Sequence, residues 1–349
     1  MPFYCLGCSL EYLYLLVNQI IMMKHLILLA LALTVISCEN VKNKEQSQTP
    51  DHDIQKELEK EFGKYMENVK PIDSAYDKAY NKTLEHWKVP YVEIFVPTQF
   101  GKAHVIVSGP KNARPLVLLH GMNSSSTVWY PNIQAFSKTF RVYAIDHLDS
   151  GKSYLDTEVE DLEQVNDWYA EIFDELKLEK IYLLGGSKGG WLSVFIALHQ
   201  ASRIDKMVLL SPAQTFIWIR PGSDLLANIT FAIKPDRDRL RSVLETLSAD
   251  VDQIPQYFID QYFLAAQKSP IGKFTSQMRP FSKDELNSLR MPVLVLIGDQ
   301  DMINNEKSIE EAKALLPNAQ TDIIENAGHM LSVDQPEIVN RKILDFLSR

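Results

Sequence analysis

The chain has 349 residues, of which 46% are apolar, 10% aromatic and 23% charged; this is the composition of a globular protein with a large core, not of a disordered or fibrous one. A formal net charge of −9 argues against nucleic acid as a partner, because phosphate binding needs clustered Lys and Arg. Cys5, Cys8 and Cys38 are its cysteines and all lie near the start, so the expected folded part holds neither a disulfide nor a thiol nucleophile.

Met22, Met23, Lys24 and His25 precede an apolar run over residues 26–36 that closes on Ser37 and Cys38. A basic region, an apolar core and a small residue make a secretory signal. The run is short for a bilayer span, which takes about 20 apolar residues. Val35-Ile36-Ser37-Cys38 resembles a bacterial lipobox. That resemblance implies export to the cell envelope, with a lipid on Cys38 holding the protein to a membrane on its periplasmic or extracellular face. A plain signal peptide or an uncleaved anchor is the other reading. Residues 1–21 carry a second apolar stretch interrupted by Glu11, so translation is expected to start at Met22 or Met23. Residues 1–38 thus read as leader and lipoprotein-type signal, and 39–70 as a polar tether and first helix.

That first helix is expected over residues 51–69, where Ile54, Leu58, Phe62 and Met66 recur every four positions. A second is expected over 72–87. Residues 91–96 and 103–107 alternate like a hairpin. Residues 115–119 form a continuous apolar run, as in a strand buried on both faces. Strands of the same style follow at 141–145, 181–184, 206–210, 293–297 and 320–324, with helical stretches at 161–176, 191–198, 306–316 and 337–347. Alternation of strand and helix predicts an α/β fold with a mostly parallel sheet covered on both faces. It breaks between residues 213 and 290, which lack a clear buried strand and are mostly helical in period. This segment reads as a helical cap inserted into a core of residues 71–212 and 291–349, or as extra packing helices. Phe216, Trp218 and Phe231 in it either line an apolar pocket or form its own core.

Gly185-Gly186-Ser187-Lys188-Gly189 stands between a strand and a helix. A serine at the apex of such a turn is held in a strained conformation, with its hydroxyl projecting above the sheet at a helix N-terminus. A hydroxyl becomes a nucleophile only when a base takes its proton, and the base needs an orienting carboxylate. Asp299 and Asp301 follow one strand, and His329 follows the next. Both positions lie at C-terminal strand ends, where open α/β sheets gather their active groups. His104, His147 and His199 read as surface or packing residues. A phosphate loop would need Lys before Ser, whereas Lys188 follows it.

From about residue 91 onward the chain resembles the α/β-hydrolase superfamily. The matching features are His120-Gly121, the serine turn, Gly298-Asp299-Gln300-Asp301, Gly328-His329 and the inserted segment. Trp129-Tyr130-Pro131-Asn132-Ile133 and Leu210-Ser211-Pro212-Ala213 resemble bacterial carboxylesterases in particular. The resemblance implies the α/β-hydrolase fold with an eight-stranded sheet. It also implies Ser187 as nucleophile, His329 as base and Asp301 as orienting acid, Asp299 serving the turn instead. Backbone N–H groups of Met122 and Lys188 would form the oxyanion hole, with His120 and Gly121 supporting that loop. Lys188 departs from the usual apolar residue or Gln; it either favours an anionic substrate group or sits in an ion pair.

The expectation is an exported serine hydrolase that cleaves small-molecule carboxylic esters with no cofactor and no metal. A lactonase, thioesterase, C–C bond hydrolase or perhydrolase on the same residues remains open, as does a non-catalytic binding protein. Oligomeric state is not legible.

Overall fold

The four-residue spacing of Ile54, Leu58 and Phe62 produces a helix, α1 (Thr49–Phe62), with Leu58 and Phe62 buried. The computed structural model describes residues 49–66, 74–148, 150–268 and 274–349. The expectations about Cys38 and the start codon fall outside them. The chain divides into two units, Met1–Asp53 and Ile54–Arg349; of the first, the described part is the opening of α1. Helix α1 ends earlier than expected, passing at Gly63 into a 3₁₀ turn over Gly63–Tyr65. Within the second unit it does more than cover the sheet. Glu61 accepts from the guanidinium of Arg141 at 2.8 Å, and that arginine is 1% exposed. The backbone oxygen of Gly109 takes a second donor of the same group.

Helix α2 (Ala75–Leu84) is capped by Ser74, whose hydroxyl accepts from the N–H of Asp77 at 3.1 Å. The strands follow as β1 (Tyr91–Thr98), β2 (Gly101–Ser108), β3 (Arg114–Leu119), β4 (Phe140–Ile145), β5 (Tyr154–Leu155), β6 (Ile181–Gly186), β7 (Ile204–Leu210), β8 (Val293–Gly298) and β9 (Ala319–Ile324). Eight of them run in the order β1-β2-β4-β3-β6-β7-β8-β9. The pairings β1–β2 and β2–β4 are antiparallel, and the rest of that path is parallel. The ninth, β5, has two residues and pairs with β2; it was too short to announce itself as a pattern.

Both faces of the sheet are covered because its central strands are apolar on both. Val117 and Leu119 join one core cluster, while Leu116 and Leu118 join the other. The first cluster takes Trp168, Ile172 and Phe173 of α4 (Leu162–Glu175) and Val194 and Ile196 of α5 (Lys188–His199). The second takes Ile133 and Phe136 of α3 (Ile133–Phe136) and Val339 and Ile343 of the final helix (Pro336–Ser348).

Between β7 and β8 lie α6 (Ser223–Ile233), α7 (Arg237–Leu247), α8 (Gln256–Lys268) and the short α9 (Lys283–Ser288). Phe231, Leu240, Leu244, Phe258 and Tyr262 give the first three a core cluster of their own. Residues 216–219, expected to continue the helical period, are not helical. After β8 come α10 (Glu306–Leu315), then β9, the one-turn α11 (Leu331–Asp334) and α12 (Pro336–Ser348).

Two histidines expected to be simple packing or surface residues, His104 and His147, are built into polar networks. His104 is fully buried, with Nδ1 2.9 Å from Asp146 and Nε2 3.0 Å from Glu93. Two carboxylates can only accept, so both ring nitrogens donate and the ring is an imidazolium. Burial alone would push the Glu93 carboxyl up, but the hydrogen bond and charge of His104, with the Lys152 ammonium, hold it at about 2 instead of the ordinary 4.5. A carboxyl held down in the folded state stabilises the fold fully above its unfolded value and loses that contribution as pH falls through the folded one. The Tm should therefore drop as pH is lowered from 4.5 toward 2, and Glu93→Gln should flatten that drop. Thermal unfolding of both proteins across the interval checks this; parallel slopes would place the acid sensitivity elsewhere.

Candidate active site

Ser187 links β6 to α5 with φ 53° and ψ −118°, a left-handed conformation that a residue with a side chain adopts at a cost of roughly 1–3 kcal/mol. Its surroundings enforce that conformation. The Ser187 N–H donates to Leu210 at 2.9 Å, while its carbonyl accepts from Gly190, Trp191 and Ala213. Glycine is obligatory on both sides of the turn. A Cβ on Gly185 would lie 2.1 Å from the Gly189 oxygen, and one on Gly189 would lie 2.2 Å from that of Leu119. Strand and helix meet backbone to backbone here, which lifts the serine clear of the sheet.

His329 follows β9, and Asp301 follows β8. The three side chains meet in a line. Ser187 Oγ lies 2.8 Å from His329 Nε2, and His329 Nδ1 lies 3.0 Å from Asp301 Oδ1. The carboxylate can only accept, so Nδ1 carries a proton and Nε2 is left as the acceptor for the serine hydroxyl. Asp301 also accepts from the Ile303 N–H at 2.8 Å and the Asn304 amide at 3.1 Å. Its side chain is fully buried; burial alone would raise its carboxyl, but His329 and these donors outweigh it and hold it below the ordinary range. Asp299 is exposed and accepts from the Ala327 N–H at 3.0 Å, a turn contact away from the histidine.

Gly121 packs against the serine, since a Cβ there would come 3.2 Å from the Ser187 Cβ. Met122 and Lys188 line the same cavity as Ser187 and His329. His120 is engaged at both nitrogens. Nδ1 donates to the Gly121 oxygen at 2.7 Å, and Nε2 accepts from the N–H of His147 at 3.1 Å. His147 in turn donates from Nε2 to the His120 carbonyl at 2.6 Å. The cavity in front of Ser187 has a volume of about 330 Å³ and walls that are mainly apolar. Val128, Trp129 and Leu210 come from the core, and Leu225, Ile229 and Phe258 from the inserted helices. Phe216, Trp218 and Phe231 are not part of its wall: the first and last are core residues and Trp218 is exposed.

A family model described as the alpha/beta hydrolase family matches residues 116–342. The chain belongs to the alpha/beta hydrolase family. Among relatives within it, carboxylesterase YbfK of Bacillus subtilis (strain 168) is 35% identical over 278 residues, covering 77% of this chain and 92% of that protein. A second Bacillus subtilis protein, named as an uncharacterized carboxylesterase nap, is 31% identical and covers 78% of this chain and 92% of its own length. The crystal structure of naproxen esterase from Bacillus subtilis superposes with a TM-score of 0.72 at 31% identity, covering 78% of this chain and 96% of that one.

In this hydrolase one residue of the site escaped sequence reasoning. Asp334 accepts from the N–H of Gly328 at 2.7 Å, the N–H of Ala249 at 3.1 Å and the hydroxyl of Ser248 at 2.6 Å. On the other side of the histidine, the Met330 N–H donates to the Leu247 carbonyl at 2.8 Å. The turn carrying His329 is therefore fastened on both flanks to the C-terminal end of α7. An Asp shortly before Pro336 reads in sequence as an ordinary helix-start residue, which hides this role. Asp334→Ala strands two backbone donors and a hydroxyl and should destabilise the fold on the order of 3 kcal/mol. Asp334→Asn retains an acceptor for the N–H groups and a donor for Ser248, so it should recover most of the loss. Thermal unfolding of both variants checks the ranking.

Proposed function

We propose that the protein is an exported serine esterase that cleaves carboxylic esters through an acyl-enzyme on Ser187. The observation that carries this reading is the unbroken line from Ser187 Oγ through His329 to Asp301 at the mouth of an apolar cavity. The relatives named as carboxylesterases support it.

His329 Nε2 takes the hydroxyl proton as Ser187 Oγ bonds to the ester carbonyl carbon. The oxyanion is met by the N–H groups of Met122 and Lys188, each worth roughly 3 kcal/mol of activation free energy. The C–O bond to the alcohol then breaks, and the alkoxide leaves with the proton from His329. Water enters, gives a proton to Nε2 and attacks the acyl carbon; Ser187 departs and recovers its proton. Asp301 keeps Nδ1 protonated and stabilises the imidazolium that forms in each half. Residues 213–290 act as a cap over the core of 71–212 and 291–349, supplying part of the acyl or alcohol pocket. Cys38 carries a lipid that holds the enzyme to a membrane, a reading that rests on residues 35–38.

A fluorophosphonate probe should label the wild-type protein and fail to label Ser187→Ala. Asp301→Asn should lower kcat on p-nitrophenyl esters by roughly 10³–10⁴-fold with its fold intact. Absence of labelling in well-folded wild type would favour a binding protein. Preference for lactones or thioesters in a parallel panel would move the reading within the family. Mass spectrometry of the mature N-terminus tests the lipid; an unmodified Cys38 would defeat it.

A further inference from the structure

Among the described residues seven large apolar side chains are exposed, and five of them are Met122, Trp218, Leu226, Ile229 and Ile233. Leu226, Ile229 and Ile233 are spaced by three and four positions, so they form one stripe along α6. They are 65%, 41% and 68% exposed. Ile229 also belongs to the cavity wall, as does Met122. The stripe is thus continuous with the rim of the cavity in front of Ser187. Single exposed apolar residues are ordinary, but a row beside a cavity marks a docking surface.

The geometry constrains what covers it. A permanent protein partner on this stripe would close the rim at Ile229 and shut esters out. A bilayer covers the same residues while bringing acyl esters to the rim. Charge agrees. Arg220 and Lys234, both exposed, bracket α6. From residue 218 to 239 four cations (Arg220, Lys234, Arg237, Arg239) face three carboxylates (Asp224, Asp236, Asp238), a net of +1 in a chain of −9. Arg237 is paired with Asp260 and Arg239 with Asp236. Leu, Ile and Trp flanked by long cationic side chains suit the headgroup boundary of a membrane. Among the described residues no helix is long and apolar enough to cross a membrane, so contact would be at its surface.

We propose that the outer face of α6 docks on a phospholipid bilayer and that the site behind it draws its ester from that surface. One acyl chain enters the apolar cavity while the polar headgroup stays at the rim. The substrate half rests on the esterase reading, whereas the docking half stands without it.

Tryptophan emission tests the docking. Of the five tryptophans, Trp87, Trp129, Trp168 and Trp191 are buried and Trp218 is 64% exposed. Full-length protein is titrated with phosphatidylcholine–phosphatidylglycerol vesicles, with and without brominated acyl chains. Emission should shift to the blue and be quenched by the brominated lipid, and Trp218→Phe should remove both changes. Leu226→Asp and Ile233→Asp should each raise the lipid concentration required about tenfold. Whatever the N-terminal segment contributes is common to all these proteins. The double variant should lose activity on p-nitrophenyl dodecanoate held in the vesicles by a similar factor and keep it on dissolved p-nitrophenyl acetate. Absence of quenching in the wild type overturns the proposal. So does a concentration-dependent dimer broken by the same two substitutions, because the stripe would then be covered by a second copy. Quenching without hydrolysis of any ester supports docking and overturns the substrate half.

Discussion

The backbone of Ser187 is the constraint on which the site depends. A residue with a side chain is held at φ 53°, and it stays there because four hydrogen bonds and two glycines leave it no relaxed alternative. Those bonds reach Leu210 at the end of β7 and Ala213 just beyond it, so the serine is positioned by the neighbouring strand as much as by its own. The parallel register of β6 with β7, in which Gly186 faces Leu210, sets the height of the hydroxyl. The fold's largest elements thus fix the placement of one oxygen atom.

The histidine is held differently. Ser187 sits between a strand and a helix of the core, whereas the turn of His329 is gripped by the end of an inserted helix. Gly328 leaves no room for a side chain, since a Cβ would lie 2.7 Å from the Leu247 oxygen. The segment that forms much of the cavity wall therefore also holds the imidazole. A displacement of α7 would be felt at His329 through Leu247, Ser248 and Ala249.

Ser187 and Asp301 each stand just past an apolar run and His329 follows the next strand, so the positions that bring these three side chains together are written locally. The sheet was legible for the same reason, through continuous apolar strands such as residues 115–119. Contacts made at long range were not. Asp334 reaches Ser248 across 86 positions, and nothing in its neighbours points there. His104 reads as a surface or packing residue because its carboxylate partners are distant in sequence, Glu93 on β1 and Asp146 just past the end of β4. Trp218 looked like pocket or core because composition alone does not distinguish an apolar residue turned inward from one turned to solvent. Boundaries moved where a turn intervened, as at Gly63, or where a strand had only two residues, as in β5.

Glu61 has a consequence for where the catalytic body starts. Arg141 is the second residue of β4, an interior strand of the sheet, and its charge is balanced from a helix that precedes every described strand. Gln55 on that helix also receives the first N–H of β1, at Tyr91. A gene trimmed to begin at β1 would leave a cation in the interior without its counterion and an edge strand without its terminal partner. The leading helix is accordingly a structural component of the hydrolase and not a spacer in front of it.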